Sequence, residues 1–178
     1  MSRPLDVLDA ASYRSAIACG AASVARNRDA INMLNVFPVP DADTGSNMLL
    51  TLRAAVDALP ETGCGLLCDA AHAAARAALM AARGCSGVIL SQILSGFADG
   101  LDGCASAGPT ELARALTAAS AKARRALREP LEGTILSVLD AAAAAAVGSG
   151  APDLAGMLDA SLAAAREALA RTPEQLPV

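Results

Sequence analysis

Apolar positions recur along this chain at the spacing of helices. From about Leu5 to Asn27, Leu8, Ile17, Ala21 and Val24 fall near enough to a 3.6-residue period to line one helical face. A second stretch, about Gly45 to Ala58, is closed by Leu59-Pro60-Glu61-Thr62-Gly63, a cluster that stops helices. Further helices are predicted over about Gly65 to Ala82, over a run opening at Val88 and carrying Ile89, Leu90, Ile93, Leu94 and Phe97, and over Thr110 to Arg128, about Thr134 to Val147 and about Asp153 to Arg171. Glycine- or proline-bearing breaks separate them, and no alternating strand-like run competes. The pattern predicts an all-α antiparallel helical bundle or barrel of about seven or eight helices.

Composition narrows this picture. A chain of 178 residues that is 54 % hydrophobic can bury one sizeable core, so 1–178 reads as a single domain. Aromatic residues are only 2 %, which leaves Ala, Leu, Val, Ile and Met to build that core and implies closely packed helices. The net charge of −4 and the scarcity of aromatics argue against nucleic acid as a partner. The start of the chain lacks a basic, then apolar, signal pattern, and the alanine run Ala141 to Ala146 falls short of the about 20 apolar residues of a membrane span, so a cytoplasmic protein is expected. Cys19, Cys64, Cys68, Cys85 and Cys104 are scattered and odd in number, as suits small buried hydrophobes in a reducing compartment. Cys64 and Cys68 would need two further ligands to hold zinc, and His72 is the only histidine. The basic cluster Lys122, Arg124, Arg125 and Arg128 suits a helix C-terminus or a solvated face.

One stretch departs from the alanine-rich helical pattern: Asn35-Val36-Phe37-Pro38-Val39-Pro40-Asp41-Ala42-Asp43-Thr44-Gly45-Ser46-Asn47-Met48. The two prolines hold it extended, and Asp41 and Asp43 in an extended segment point along one side as hard oxygen ligands of the kind Mg²⁺ or Ca²⁺ takes. Thr44-Gly45-Ser46-Asn47 then opens a helix, whose free N–H groups and positive dipole end favour a phosphate. The alternative is an Asx-turn in which Asp43 only caps the helix. Arg83-Gly84-Cys85-Ser86-Gly87 offers a similar choice, between a glycine-lined anion site ahead of a helix and a tight turn with Ser86 as N-cap. There is no Gly-x-x-x-x-Gly-Lys motif, which excludes a P-loop.

With Ala82-Arg83-Gly84-Cys85-Ser86-Gly87-Val88-Ile89-Leu90-Ser91-Gln92 and Pro130-Leu131-Glu132-Gly133-Thr134-Ile135-Leu136, the acidic stretch resembles, in order and spacing, the DhaL-like nucleotide-binding domain shared by fatty acid kinases and the ADP-binding subunit of dihydroxyacetone kinases. The likeness is greatest to the N-terminal domain of fatty acid kinase. It implies an ATP- and Mg²⁺-dependent kinase domain that phosphorylates a fatty acid carboxylate presented by a separate fatty-acid-binding protein. By this resemblance Asp41 and Asp43 are the catalytic carboxylates and hold a pair of Mg²⁺ ions. Thr44, Gly45, Ser46, Asn47, Gly84, Cys85, Ser86 and Gly87 cradle the phosphates of ATP or ADP, and Thr134 and Ile135 lie beside the nucleoside. A carboxylate acceptor, which ordinarily loses its proton near about pH 4, needs no general base at neutral pH. Alternatives are a glycerone (dihydroxyacetone) kinase ADP-binding subunit and a non-catalytic nucleotide-binding module. The former carries a further aspartate where this chain has Val36, with Asn35 as a possible substitute ligand. The family barrel also has a closing helix beyond the point matching Val178, so an apolar gap is expected among helices around Leu8, Leu50 and Leu139, filled by further domains, a partner helix or a homodimer.

Overall fold

The computed structural model describes residues 6–37, 39–61 and 65–176. Pro38, Cys64, Thr62-Gly63 and the expected helix start at Leu5 lie outside them. Among the described residues there are seven helices and no strand, only one antiparallel bridge that pairs Leu8 with Ala107. They are α1 (Ala10–Met33), α2 (Thr44–Asp57), α3 (Leu67–Ala81), α4 (Gly84–Gly100), α5 (Pro109–Arg125), α6 (Ile135–Gly148) and α7 (Leu154–Gln175). The all-α fold expected from periodicity is the fold observed.

Several boundaries differ from expectation: Asp6 to Asp9 precede α1 instead of belonging to it, α5 ends at Arg125 and leaves Arg128 beyond it, and three further differences bear on the site or the packing. Helix α1 runs past Asn27 to Met33, because Arg28 to Met33 contains no breaker and the polar residues there are compatible with an exposed helical turn. Its start is fixed by Asp9, whose carboxylate accepts from the Ser12 N–H at 2.7 Å. Helix α4 begins at Gly84, so Gly84 to Gly87 is its first turn and Ser86 is not an N-cap. Helix α7 continues through Pro173. The proline has no N–H for the Leu169 carbonyl, but the Thr172 hydroxyl donates to that carbonyl at 2.9 Å and replaces the missing bond.

Small residues let the helices approach closely, as the scarcity of aromatics implied. A Cβ on Gly96 would lie 2.6 Å from the Ala118 carbonyl oxygen, and one on Gly100 would lie 2.5 Å from the Ala115 Cα, so α4 and α5 touch along their backbones. The core joins Leu52, Leu67, Leu94, Leu101, Leu112 and Met157 to a bed of alanines, with Tyr13 stacked on Phe97 at 5.9 Å between centroids. Burial drives the Tyr13 phenol well above its ordinary pKa, and its hydroxyl has no partner. Neighbouring helices pack in chain order from α1 to α7, with α2 also meeting α4 and α1 meeting α3. Helix α7 packs on α6 and does not close against α1; it leaves Leu158, Leu162 and Leu169 exposed. Of the residues expected around a gap, Leu50 is 47 % exposed and Leu8 is buried against Ala107, whereas Leu139 is half-buried.

Candidate functional site

The up-and-down path decides where the three motifs go. Gly96 and Gly100 sit against Ala118 and Ala115, the Leu67 N–H at the start of α3 donates to the Ala105 carbonyl just beyond α4, Asp140 lies against Ser120 and Arg124, and Gly84 at the start of α4 lies against Asn47 at the start of α2, so α3 and α5 run antiparallel to α4 and the starts of α2 and α4 lie together. The α1–α2, α3–α4 and α5–α6 connections therefore share one end of the bundle. These are the connections that carry the three motifs.

The first motif is held by a residue that periodicity did not single out. Asn32, in the last turn of α1, accepts through Oδ1 from the backbone N–H of Gly45 at 2.8 Å and of Ser46 at 3.2 Å, and its Nδ2 donates to the Ser46 hydroxyl at 3.1 Å. A Cβ at Gly45 would fall 2.5 Å from the Arg28 carbonyl oxygen, so only glycine lets α2 start this close to α1. Asn32 thus caps α2, and Asp43, at the N-cap position, makes no side-chain capping bond. Its carboxylate is left to another task. The signal available in the sequence was an asparagine in the last turn of a helix, which is too common to single out.

The acidic pair is not extended as its prolines suggested. The Asp41 N–H donates to the Val39 carbonyl at 3.0 Å, Ala42 has φ 55°, and Asp43 has φ −119° and ψ −3°. The chain turns sharply between the two acids, and the same-side geometry expected of an extended strand does not apply. A non-glycine residue in the left-handed region costs about 1–3 kcal/mol, strain of a kind that clusters where geometry serves function. The turn is pinned by Asn35, whose Nδ2 donates to Asp41 Oδ1 at 2.6 Å.

The second motif lies directly on the first. Gly84 has φ +59°, and a Cβ there would stand 2.4 Å from Asn47 Nδ2 and 3.7 Å from Asp43 Oδ2. Asn47 is 9 % exposed, and its Nδ2 has no hydrogen-bond acceptor. A buried donor left unpaired costs about 1–3 kcal/mol, so this amide is an unfilled requirement at the seam of the two motifs. Gly87 plays a different part. It is buried with its open side 3.0 Å from Thr51 Oγ1, so it seats α4 on α2 and does not face an anion. Cys85 is exposed and Ser86 half-buried on the first turn of α4, whose free N–H groups make an anion-favouring helix start.

The third motif is internally satisfied. The Thr134 hydroxyl caps α6, accepting from the Leu136 N–H at 3.3 Å and donating to the Leu131 carbonyl at 2.9 Å, and Ile135 is 39 % exposed. Arg124 binds Asp140 and Glu132, with its Nη2 2.8 Å from Glu132 Oε1; the Ser120 hydroxyl donates to Asp140. The Ser137 hydroxyl donates to Glu132 Oε2 at 2.6 Å and accepts from the Gly133 N–H at 2.9 Å. Half of the basic cluster is absorbed here or nearby, Lys122 by Asp99 at 2.7 Å. Arg125 and Arg128 are exposed at this same end, as is Arg83, whose Nη1 donates to the Ala82 carbonyl at 2.8 Å.

Apolar side chains surround this polar ground. Met33, Leu34 and Met80 are 81 %, 78 % and 80 % exposed, and Val36, Phe37, Val39 and Val88 are also uncovered. Among the described residues no group of three or more His, Cys, Asp or Glu side chains is arranged to hold a metal ion; Cys64 of the Cys64–Cys68 pair lies outside them. His72 bonds Asp102 at 2.6 Å on the surface, in a pair remote from the motifs in sequence and on other elements. Among the same residues no helix is long and apolar enough to cross a membrane.

Comparison with known proteins supplies the family. The chain is 37 % identical over 173 residues to Protein YloV of Bacillus subtilis (strain 168), covering 96 % of this chain and 31 % of that protein. It is 36 % identical over 161 residues to the uncharacterized protein SERP0792 of Staphylococcus epidermidis and 35 % identical over the same length to the uncharacterized protein SAB1090 of Staphylococcus aureus, in each case covering 89 % of this chain and 29 % of the relative. The chain thus spans about a third of the length of these relatives. The family profile described as DAK2 domain matches residues 38–178, from within the acidic stretch to the last residue, and the chain belongs to this all-helical, dihydroxyacetone-kinase-type domain family.

Proposed function

We propose that the motif-bearing end of the bundle binds ATP or ADP with Mg²⁺ and that the domain transfers a phosphoryl group to an acceptor carried outside it. The observation that carries this reading is the unpaired Asn47 amide beneath Gly84 and beside the Asp43 carboxylate. A donor without an acceptor, a glycine that lets the backbone close on it and a carboxylate unused in capping fit a phosphate accompanied by a cation. They do not fit a helix-to-helix turn, which would satisfy its own polar atoms. The donor set is also of the right chemistry: Asp41 and Asp43 offer hard oxygens, and with so few protein ligands the phosphates themselves would complete the coordination, as is usual for Mg²⁺.

Mg²⁺, when bound, neutralises phosphate oxygens and the charge that develops on them. The chain's own residues do the positioning. Asn32 takes up the Gly45 and Ser46 N–H groups and fixes where α2 starts, and Asn35 orients Asp41. Backbone N–H groups of Gly84 to Ser86 meet the anion at the positive end of α4. Thr134 and Ile135 border the same end and are the side chains we propose for nucleoside contact. For the acceptor, the resemblance to fatty acid kinase favours a fatty acid carboxylate presented by a separate protein. The exposed apolar side chains around the site, Met33, Leu34, Phe37 and Met80 among them, suit docking of such a carrier or of a further region of a longer chain. The uncovered leucines of α7 are where we propose that a further helix or a second copy associates.

The test is calorimetric titration of ADP with and without Mg²⁺, followed by ATP turnover with acyl carriers and with dihydroxyacetone as acceptors. Mg²⁺-dependent ADP binding is expected. Its absence would refute the nucleotide assignment, and turnover with dihydroxyacetone but no acyl carrier would replace the acceptor proposed.

A further inference from the structure

Cys85 is the second residue of α4 and is exposed, whereas Cys68 is buried and Cys104 half-buried; Cys19, also exposed, lies on α1 and outside the three motifs. Immediately before Cys85, Gly84 lies directly against Asn47, a side chain more than nine-tenths buried whose amide has no acceptor, and near the Asp43 carboxylate. A reactive atom reachable from solvent therefore stands one residue from a vacant hydrogen-bonding requirement, on the turn whose backbone would meet an anion. A helical side chain leans toward the turn N-terminal to it, so a tripeptide-sized group carried on the Cys85 sulfur would cover the first turn of α4 and compete with a phosphate there. If the group is itself anionic, it also repels one.

We propose that Cys85 is a thiol-modification site through which small disulfides close the nucleotide site reversibly, a proposal that rests on the phosphate reading above. The Cys85 thiolate attacks one sulfur of a low-molecular-weight disulfide, RS–SR. A Cys85–S–SR bond forms, the original S–S bond breaks, and RS⁻ leaves and takes up the proton that Cys85 gave up. Cys85 is oxidised and one half of the reagent is reduced. Excess RSH reverses the exchange by the same path. An oxidising environment would thus switch the domain off without unfolding it.

Oxidised glutathione is the probe. The full chain is treated with it in the presence and absence of Mg²⁺ and ADP, modification of each cysteine is followed by mass spectrometry, and ADP affinity is measured by calorimetry before treatment, after it, and after dithiothreitol. With ADP at ten times its Kd, Cys85 modification is expected to slow about tenfold by mass action, while Cys19 modification keeps its rate. Protein modified at Cys85 is expected to lose at least about tenfold in ADP affinity, with unchanged helical circular dichroism and full recovery under dithiothreitol; in the energy scale of binding this is about 1.4 kcal/mol. Cys85→Ser is expected to lose none of its own affinity on treatment, and Cys19→Ser to respond as the parent does. Equal modification rates at Cys85 with and without bound ADP, or undiminished ADP binding by the modified protein, overturn the proposal and leave the nucleotide site standing. Failure of the untreated chain to bind ADP with Mg²⁺ overturns both.

Discussion

Two connections at the same end of this bundle handle their polar atoms in opposite ways. At the α5–α6 turn, Arg124, Asp140, Glu132, Ser137, Ser120 and the Gly133 N–H satisfy one another in a closed set. Where the α1–α2 loop meets the start of α4, an asparagine amide is buried without a partner, an N-cap aspartate does not cap, and an alanine is held at positive φ. A polar network that is complete stabilises the fold that contains it. One that is incomplete calls for an explanation, and at this seam the proposed ligand supplies it. On the function proposed above, the first connection serves stability and the second binding, and substitutions in the two should separate accordingly.

The largest effect is expected at the acids. Asp43→Asn and Asp41→Asn each remove a charged oxygen ligand and should weaken Mg²⁺-dependent ADP binding by about 10- to 100-fold or more, while thermal unfolding stays near that of the parent. Because Asp43 does not cap α2, its loss should not cost the usual about 1 kcal/mol of a helix cap. A fall in Tm with unchanged ADP affinity would reverse the assignment and make Asp43 structural.

Gly84→Ala comes next and tests the same place by addition. The new Cβ would meet Asn47 Nδ2 at 2.4 Å in a backbone conformation that side chains disfavour, so both ADP affinity and stability should fall, the latter by about 1–3 kcal/mol. Gly87→Val is the instructive control. Since Gly87 faces Thr51, that substitution should act chiefly by prising α4 from α2, seen as a lower Tm. Binding lost in Gly87→Val at unchanged stability would mean that Gly87 faces the ligand after all. Ser86→Ala should weaken ADP binding by no more than about 0.5–1.5 kcal/mol, as one neutral hydrogen bond.

At the other connection, Arg124→Met leaves Asp140 and Glu132 without their cation, and a loss of about 1–3 kcal/mol in unfolding free energy is expected. Urea melts with and without ADP check it. The ADP-induced gain in stability should survive in this variant and vanish in Asp43→Asn.

Much of this fold was legible in the sequence because helical period and breakers are local. Asn35 to Met48 and Ala82 to Gln92 could be marked for the same reason, as interruptions in an alanine-rich pattern. What could not be read is long-range. Asn32 lies on α1 yet caps the start of α2, and only the antiparallel return of α2 on α1 brings its amide there. That bond is also why the capping role expected of Asp43 falls to another residue. The acids' turned backbone was hidden too: two prolines argue for extension, but the Asn35–Asp41 bond folds the loop back. At Pro173 a local breaker rule was outweighed by one threonine hydroxyl.

The smallest effect concerns pH and sharpens the account of the closed network. The Ser137 hydroxyl, and then the Arg124 guanidinium, hold the Glu132 carboxyl below its ordinary value. A carboxyl whose folded-state pKa is depressed contributes its stabilisation in full above the unfolded value, near about 4.3, and loses it as pH falls through the lower folded value. Stability from this group should therefore be constant near neutrality and decline only in acid. The magnitude is limited, because the Glu132 side chain is 60 % exposed and its pairing with Arg124 is screened by water, which leaves under about 1 kcal/mol. Glu132→Gln should thus be slightly less stable than the parent at pH 7, and the gap between their melting temperatures should narrow steadily below about pH 4. A gap between Glu132→Gln and the parent that is independent of pH would mean that the glutamate acts through shape and hydrogen bonding alone, and that the charge of the α5–α6 network does not stabilise it.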